Sequence, residues 1–257
     1  MQWWQAVTIG LVQGLTEFLP VSSSGHLAIS YRLLGLAQEP VSLSVALHLF
    51  TILAVFVYFW SIIRRLKLKY WVIILIASVP AAFVGVFFRM QIQPIFSNLL
   101  IVGALFSITA LANIVATHFL QMRKMTEKTN YWSKPTIKQA VIIGLAQSLA
   151  VLPGVSRSAM TITTGLVSGG DRRAVFNFSF LLSIPVIIGA FVVELFSLEN
   201  GLLAEFTPSW IFAGIVAFAS GLLSLKILAW SLKKASLAWF GMYTLLLSGV
   251  VIWSELF

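Results

Sequence analysis

The chain has 257 residues, of which 59% are hydrophobic and only 10% charged, with a mean hydropathy of +0.97 and a formal net charge of +9. Soluble domains carry roughly 25% charged residues, so this chain has too few charges to solvate a globular surface, and a soluble fold is excluded. The absence of cysteine removes disulfides, thiol catalysis and cysteine metal sites.

In chain order, the opening MQWWQAVTIG lacks the basic n-region of a cleavable signal, so the first apolar stretch is expected to stay in the protein. Residues 3–19 are apolar but stop at Pro20, give way to Ser22-Ser23-Ser24-Gly25, and resume as a short apolar piece over 27–36. Long apolar runs then follow at 41–60, 71–88 and 97–118, each of a length that crosses a bilayer as a helix. The short broken pattern returns at 139–152, Pro153 and 159–168, before three more long runs at 175–196, 209–230 and 236–254. The runs are continuously apolar rather than alternating, which argues against a β-barrel.

The two broken stretches are too short to span. Each predicts a helix–loop–helix that enters the membrane and returns on the same side, an arrangement tolerated only where irregular backbone lines a protein-enclosed cavity. The predicted fold is an all-α integral membrane protein of six transmembrane helices plus two re-entrant hairpins. It forms one membrane domain over 1–257, with repeats at 1–118 and 139–257 joined by a basic cytoplasmic linker over 119–138.

The basic residues sort by connection. Arg64, Arg65, Lys67 and Lys69 follow the first span, and Arg123, Lys124, Lys128, Lys134 and Lys138 follow the third. Arg172 and Arg173 precede the fourth, and Lys226, Lys233 and Lys234 end the fifth. Only Arg32, Arg89 and Arg157 fall elsewhere, while Glu39, Glu199, Glu205 and Glu255 lie on the base-poor side. Cytoplasmic loops carry the excess of Lys and Arg, so the net charge is a topology signal and not a nucleic-acid footprint. The first hairpin then enters from outside and the second from the cytoplasm.

The hairpins also resemble each other. Ile9, Gly10, Leu11, Gln13 and Leu15 match Ile143, Gly144, Leu145, Gln147 and Leu149 without a gap, and one residue of slippage aligns Leu19-Pro20 with Leu152-Pro153. Opposite entry makes this an inverted-topology repeat, whose site is expected near the midplane where broken helices meet.

Polar chemistry gathers at the two breaks. Gly10, Gln13, Gly14 and Glu17 share one helix face, and an ionisable group at that depth is functional by default. Ser22, Ser23, Ser24 and Gly25 lead into the next helix, whose free N–H groups suit an anion, with His26 one turn away. In the second motif Pro153-Gly154 breaks the helix and Ser156-Arg157-Ser158 opens the next; the planar fork of Arg157 suits phosphate. Thr161 lies near Arg157, and His48 sits mid-span in VALHLFTILAV. The set suits a phosphate or diphosphate, with Glu17 as a ligand for a divalent cation and His26 as base or nucleophile. The bland alternatives are a structural Glu17–Arg157 ion pair, helix caps at Ser22–Ser24 and core histidines at 26 and 48. No HExxH, GxSxG or P-loop is present, and the run SRSAMTITTGLVSGGD contains no His, which a phosphatidic-acid-type phosphatase requires shortly after its SR.

EFLPVSSSGH with LPGVSRS and FSFLLSIPVIIGA closely resembles the bacterial undecaprenyl-diphosphate phosphatases of the bacitracin-resistance type, over nearly the whole chain. The resemblance implies removal of one phosphate from a C55 polyprenyl diphosphate, with a divalent metal, Mg²⁺ or Ca²⁺, in a bacterial plasma (inner) membrane and a site opening to the periplasmic side. Gln13 and Glu17 match the family's acidic motif in its one-carboxylate form, so metal binding would lean on Glu17 and the diphosphate itself. Val155 and Ala159 stand where the usual PGTSRSG has Thr and Gly. Glu17, His26, Ser23 and Arg157 are the expected catalytic residues. Gln13, Ser22, Ser24, Gly25, His48, Gly154, Ser156, Ser158 and Thr161 are expected to hold substrate. The attacking group is either His26 or a serine of 22–24. The rival activity is a polyprenyl-phosphate flippase. Expected partners are the lipid substrate, the membrane and a second copy in a homodimer, with no nucleic acid.

Overall fold

The computed structural model describes residues 1–36, 41–125, 131–197 and 207–257. Glu39, Lys128, Glu199 and Glu205, counted above, lie outside the described residues. Those described form α1 (Trp3–Phe18), α2 (Ser23–Leu33), α3 (Val41–Ile63), α4 (Leu68–Phe87) and the short α5 (Arg89–Ile92). A 3-10 turn, Gln93–Ser97, then leads into α6 (Leu99–Met125). The second half holds α7 (Ile137–Ser148), a 3-10 turn Leu149–Val151, α8 (Arg157–Val167), α9 (Arg172–Ser197), α10 (Pro208–Lys233) and α11 (Ala238–Leu256). Among the described residues the one β-type pairing is an isolated bridge between Trp132 and Gly170, which ties the start of the α7–α8 hairpin to its end.

Six helices, α3, α4, α6, α9, α10 and α11, are long and apolar enough to cross a membrane. Their outward faces carry Leu53, Val57, Val79, Phe83, Leu111, Ile215 and Leu246, all exposed. Lipid tails accept such faces, so the bundle needs no polar surface around its girth. Trp60 and Trp230 sit near the ends of α3 and α10, each with a cation against its ring, Arg64 and Lys234 respectively, both 5.6 Å from the ring centroid. Amphipathic rings at headgroup depth suit this role.

Small residues set the packing. α1 lies along α10 and α7 along α4. A Cβ on Gly10 would collide with the carbonyl of Ala213, and one on Gly144 with the carbonyl of Ala77. Backbone-on-backbone approach of this kind is how helices associate without water to drive them. Ser224 Oγ donates to the Gly14 carbonyl at 2.9 Å, pinning the α1–α10 contact near the site. Between these pairs, α3, α4, α9 and α10 enclose a core built on Phe18, Phe59, Phe178 and Phe180. Phe18 and Phe180 meet edge-on at 5.6 Å.

Candidate active site

The two broken segments meet tip to tip. Gly154 donates its N–H to Ser22 Oγ at 3.2 Å, Ser158 Oγ donates to the Leu19 carbonyl at 3.2 Å, and the Arg157 guanidinium reaches Glu17 Oε1 at 2.6 Å. Local sequence explains each break. Leu19, before a proline, is extended at φ −65°, ψ 146°, and Pro20 has no N–H with which to prolong α1. Ser22 adopts φ +70°, a left-handed conformation that a serine holds only when its surroundings demand it. The demand is visible: its carbonyl accepts from His26 Nδ1 at 2.7 Å while its hydroxyl accepts from Gly154. Gly154 has φ +98° and no room for a Cβ against Val102 and Leu105.

α6 braces both tips. Asn113 Nδ2 donates to the Pro20 carbonyl at 2.7 Å. Thr109 donates to the Gly154 carbonyl at 2.7 Å and accepts the Ser156 N–H at 2.8 Å. Thr109, Asn113 and Thr117 follow at four-residue intervals and so share a helix face. That spacing is the sequence signal for these supports, which lie outside both polar motifs.

Glu17 is the centre of the cluster. It is 7% exposed. Oε1 takes the Arg157 guanidinium, and Oε2 accepts from Ser23 Oγ at 2.6 Å, Gln13 Nε2 at 3.2 Å and His48 Nε2 at 3.2 Å. His48 Nδ1 lies 2.7 Å from the Ser44 carbonyl. Both partners of this ring are acceptors, so both nitrogens donate in this arrangement. One carboxylate is thus faced by a guanidinium, an imidazole, a hydroxyl and an amide, a gathering of donors suited to an anion.

His26 faces elsewhere. Its Nδ1 is bound to Ser22, its Nε2 is 2.8 Å from the Tyr243 hydroxyl of α11, and its ring meets Phe106 edge-on at 5.2 Å. Neither nitrogen is free to attack a ligand. Thr161 bonds the Arg157 carbonyl at 2.9 Å and Ser179 Oγ at 2.5 Å, behind α8. Gly25 packs on Phe106 and Gly154.

A cavity of about 450 Å³ opens onto Glu17, Ser22, Ser23, Ser24, His48, Ser156 and Arg157. Its apolar wall comes from α4 and α9 through Ala81, Ala82, Val186, Ile187 and Ala190. Gln13, Gly25, His26, Gly154, Ser158 and Thr161 do not line it. A second cavity of about 680 Å³ shares Ser44, Gly85, Arg89, Phe96 and Val151 with the first and extends to Arg32. Arg32 and Arg89 are the two basic residues that lie on the connections opposite the basic loops. Gln147, Arg89 and Tyr243 also touch the site or its residues without having been expected there. Tyr243 carries no motif that could have revealed it.

For a divalent cation the donor set is a poor fit. Both Glu17 oxygens are already occupied by donors, one of them the Arg157 guanidinium, and no cluster of three His, Asp or Glu exists among the described residues. Hard cations need several oxygen ligands, and here the protein offers one screened carboxylate. The α2 and α8 N-termini, the hydroxyls and Arg157 are donors, whose chemistry suits an anion instead.

The family described as bacitracin resistance protein BacA matches residues 6–251. The undecaprenyl-diphosphatase of Bacteroides fragilis is 39% identical over 268 residues, covering 98% of this chain and 98% of that protein. That of Halothermothrix orenii is 35% identical over 259 residues, again covering 98% of each. That of Carboxydothermus hydrogenoformans is 37% identical over 260 residues, covering 98% of this chain and 97% of its own.

Proposed function

Since the chain belongs to the bacitracin resistance protein BacA family, we propose how its own residues carry out the reaction of that family. The protein is a multi-pass membrane enzyme that hydrolyses undecaprenyl diphosphate to undecaprenyl phosphate and inorganic phosphate. This returns the carrier lipid to cell-wall synthesis and gives bacitracin resistance. Hydrolysis, not lipid flipping, is the activity named for the relatives.

In our reading Ser23 is the nucleophile and Glu17 the base. The observation that carries it is the 2.6 Å contact between Ser23 Oγ and Glu17 Oε2, at the wall of the cavity, with Arg157 holding the other carboxylate oxygen at 2.6 Å. Ser23 Oγ attacks the terminal phosphorus as its proton passes to Glu17. The bond from that phosphorus to the bridging oxygen breaks, and undecaprenyl phosphate leaves with the proton handed back by Glu17, which is again a carboxylate. Water, deprotonated by Glu17, then cleaves the phosphoserine and frees inorganic phosphate. Arg157 meets the charge that builds on the transferred group, the placement that makes such donors effective. His26 is a positioning residue that holds Ser22 through its carbonyl.

These steps pass through no divalent cation; Mg²⁺ or Ca²⁺, if bound, would supply neutralisation of the diphosphate charge, with Glu17 as its one carboxylate at the cavity. We further place the chain in the bacterial plasma (inner) membrane with the site reached from the periplasmic face. The cavities support this, because the larger one is walled by the α2–α3 and α4–α6 connections, which carry few basic residues. The two hairpins are read as re-entrant halves of an inverted repeat, supported by the matched Gly10–Ala213 and Gly144–Ala77 contacts.

The test is phosphate release from a polyprenyl diphosphate in detergent, with and without EDTA. Ser23→Ala should lose release by roughly 10³-fold or more, as removal of a nucleophile does. His26→Ala should retain a measurable fraction. The reverse order of effects would overturn the assignment of the attacking group.

A further inference from the structure

Gln147 is 2% exposed, lines the cavity shared by Glu17 and Arg157, and has no partner for either its amide nitrogen or its amide oxygen. Buried side-chain polar atoms are nearly always paired, and a carboxamide left unpaired in an apolar bundle is costly. Packing gives no structural reason for it.

The repeat sharpens the anomaly. Gln147 occupies the place of Gln13 in the other hairpin. There the amide donates to Glu17, four residues on, at 3.2 Å. In the second hairpin the residue four positions on is Val151, which has nothing to accept with. The glutamine is present and the carboxylate that would satisfy it is not. Gly144, Gln147 and Val151 share one face of the helical stretch. Gly144 closes that face against Ala77 of α4, and Gln147 and Val151 reach the cavity. One further orphan lies in the same site: a terminal nitrogen of Arg157, buried and unpaired while the other grips Glu17.

We propose that Gln147 is a substrate-binding residue, its carboxamide held open for the lipid diphosphate beside Arg157. The Nε2 group donates to a phosphate oxygen, and Oε1 faces the hydroxyl of a monoprotonated phosphate. The diphosphate thus takes in the second hairpin the place that the Glu17 carboxylate takes in the first. This rests on the reading of the cavity as the hydrolytic site.

The test compares wild type, Gln147→Leu and Ser23→Ala. Each is assayed for phosphate release from a polyprenyl diphosphate and for its thermal midpoint with and without a non-hydrolysable methylene diphosphonate analogue. Gln147→Leu should raise KM roughly tenfold or more, the loss expected for a hydrogen bond to a charged group. It should also lose the stabilisation given by the analogue, while its midpoint without ligand stays level or rises because an unpaired amide is gone. A KM within twofold of wild type, with Ser23→Ala inactive, would sink the proposal and leave the hydrolytic site standing. So would a fall in the ligand-free midpoint that tracks the lost activity, which marks a structural role. If Ser23→Ala kept full activity, the site reading itself would fail, and the proposal with it.

Discussion

The first hairpin is strained and its carboxylate is fully paired; in the second a buried amide and one guanidinium nitrogen are left open. In the first, Ser22 holds a left-handed φ of +70°, α2 starts without a side-chain cap, and the Glu17 carboxylate accepts from four side chains. In the second, Ser156 caps α8 conventionally by accepting the Ala159 N–H at 3.2 Å, while Gln147 and one Arg157 nitrogen have no partner. The two similar motifs thus differ in what they leave paired. In the proposed reaction one half holds nucleophile and base in place before substrate arrives, and the other presents unpaired polar groups to it. Preorganisation of this kind is where electrostatic catalysis draws its effect.

The comparison breaks most sharply at Glu17. Glu17→Gln keeps the shape and removes the base, so phosphate release should drop by roughly 10²–10⁴-fold, the range of general-base catalysis. A milder loss in kcat would mean that Ser23 is activated by some other group. On the other side, Arg157→Lys keeps the charge but loses the fork. It should cost about 10²-fold in kcat/KM, comparable to removing one preorganised donor. Full activity with lysine would show that charge alone suffices there.

Next come the braces on α6. Thr109→Val orphans the Ser156 N–H and the Gly154 carbonyl, and should destabilise by about 1–3 kcal/mol, read as a lower thermal midpoint in detergent. Asn113→Leu should act similarly through the Pro20 carbonyl of the first hairpin. If the two variants lowered stability but left activity alike, the tips would be held by their mutual contacts and not by α6. The smallest effect is expected at Thr161→Val, whose hydroxyl bonds Arg157 and Ser179 away from the cavity. Activity should stay within about threefold, with a loss of about 1 kcal/mol in stability for one neutral hydrogen bond. A large rise in KM would return Thr161 to the substrate site.

Much of this was legible beforehand, for identifiable reasons. The six long helices follow from apolar length, which lipid imposes on any spanning segment. The tips follow from Pro20 and Pro153, which end helices by chemistry local to the chain. That Glu17 and Arg157 belong together was also readable, because isolated charges at such depth need partners. What failed to show was direction. His26 stands three residues from Ser23, yet its ring turns to Tyr243, some two hundred residues away in sequence.

The sequence by itself therefore determined which segments cross the bilayer, where they break, and which polar residues gather at the breaks. These depend on hydropathy, backbone geometry and the cost of lone charge, all readable within a few residues. Only the tertiary structure decided that Ser23 and not His26 meets the carboxylate, that His48 completes its coordination, and that Gln147 is left unpaired. Those outcomes turn on which faces of α3, α6, α7 and α11 are brought together. Such contacts are made between segments far apart in the chain, through small residues whose close approach no local pattern fixes.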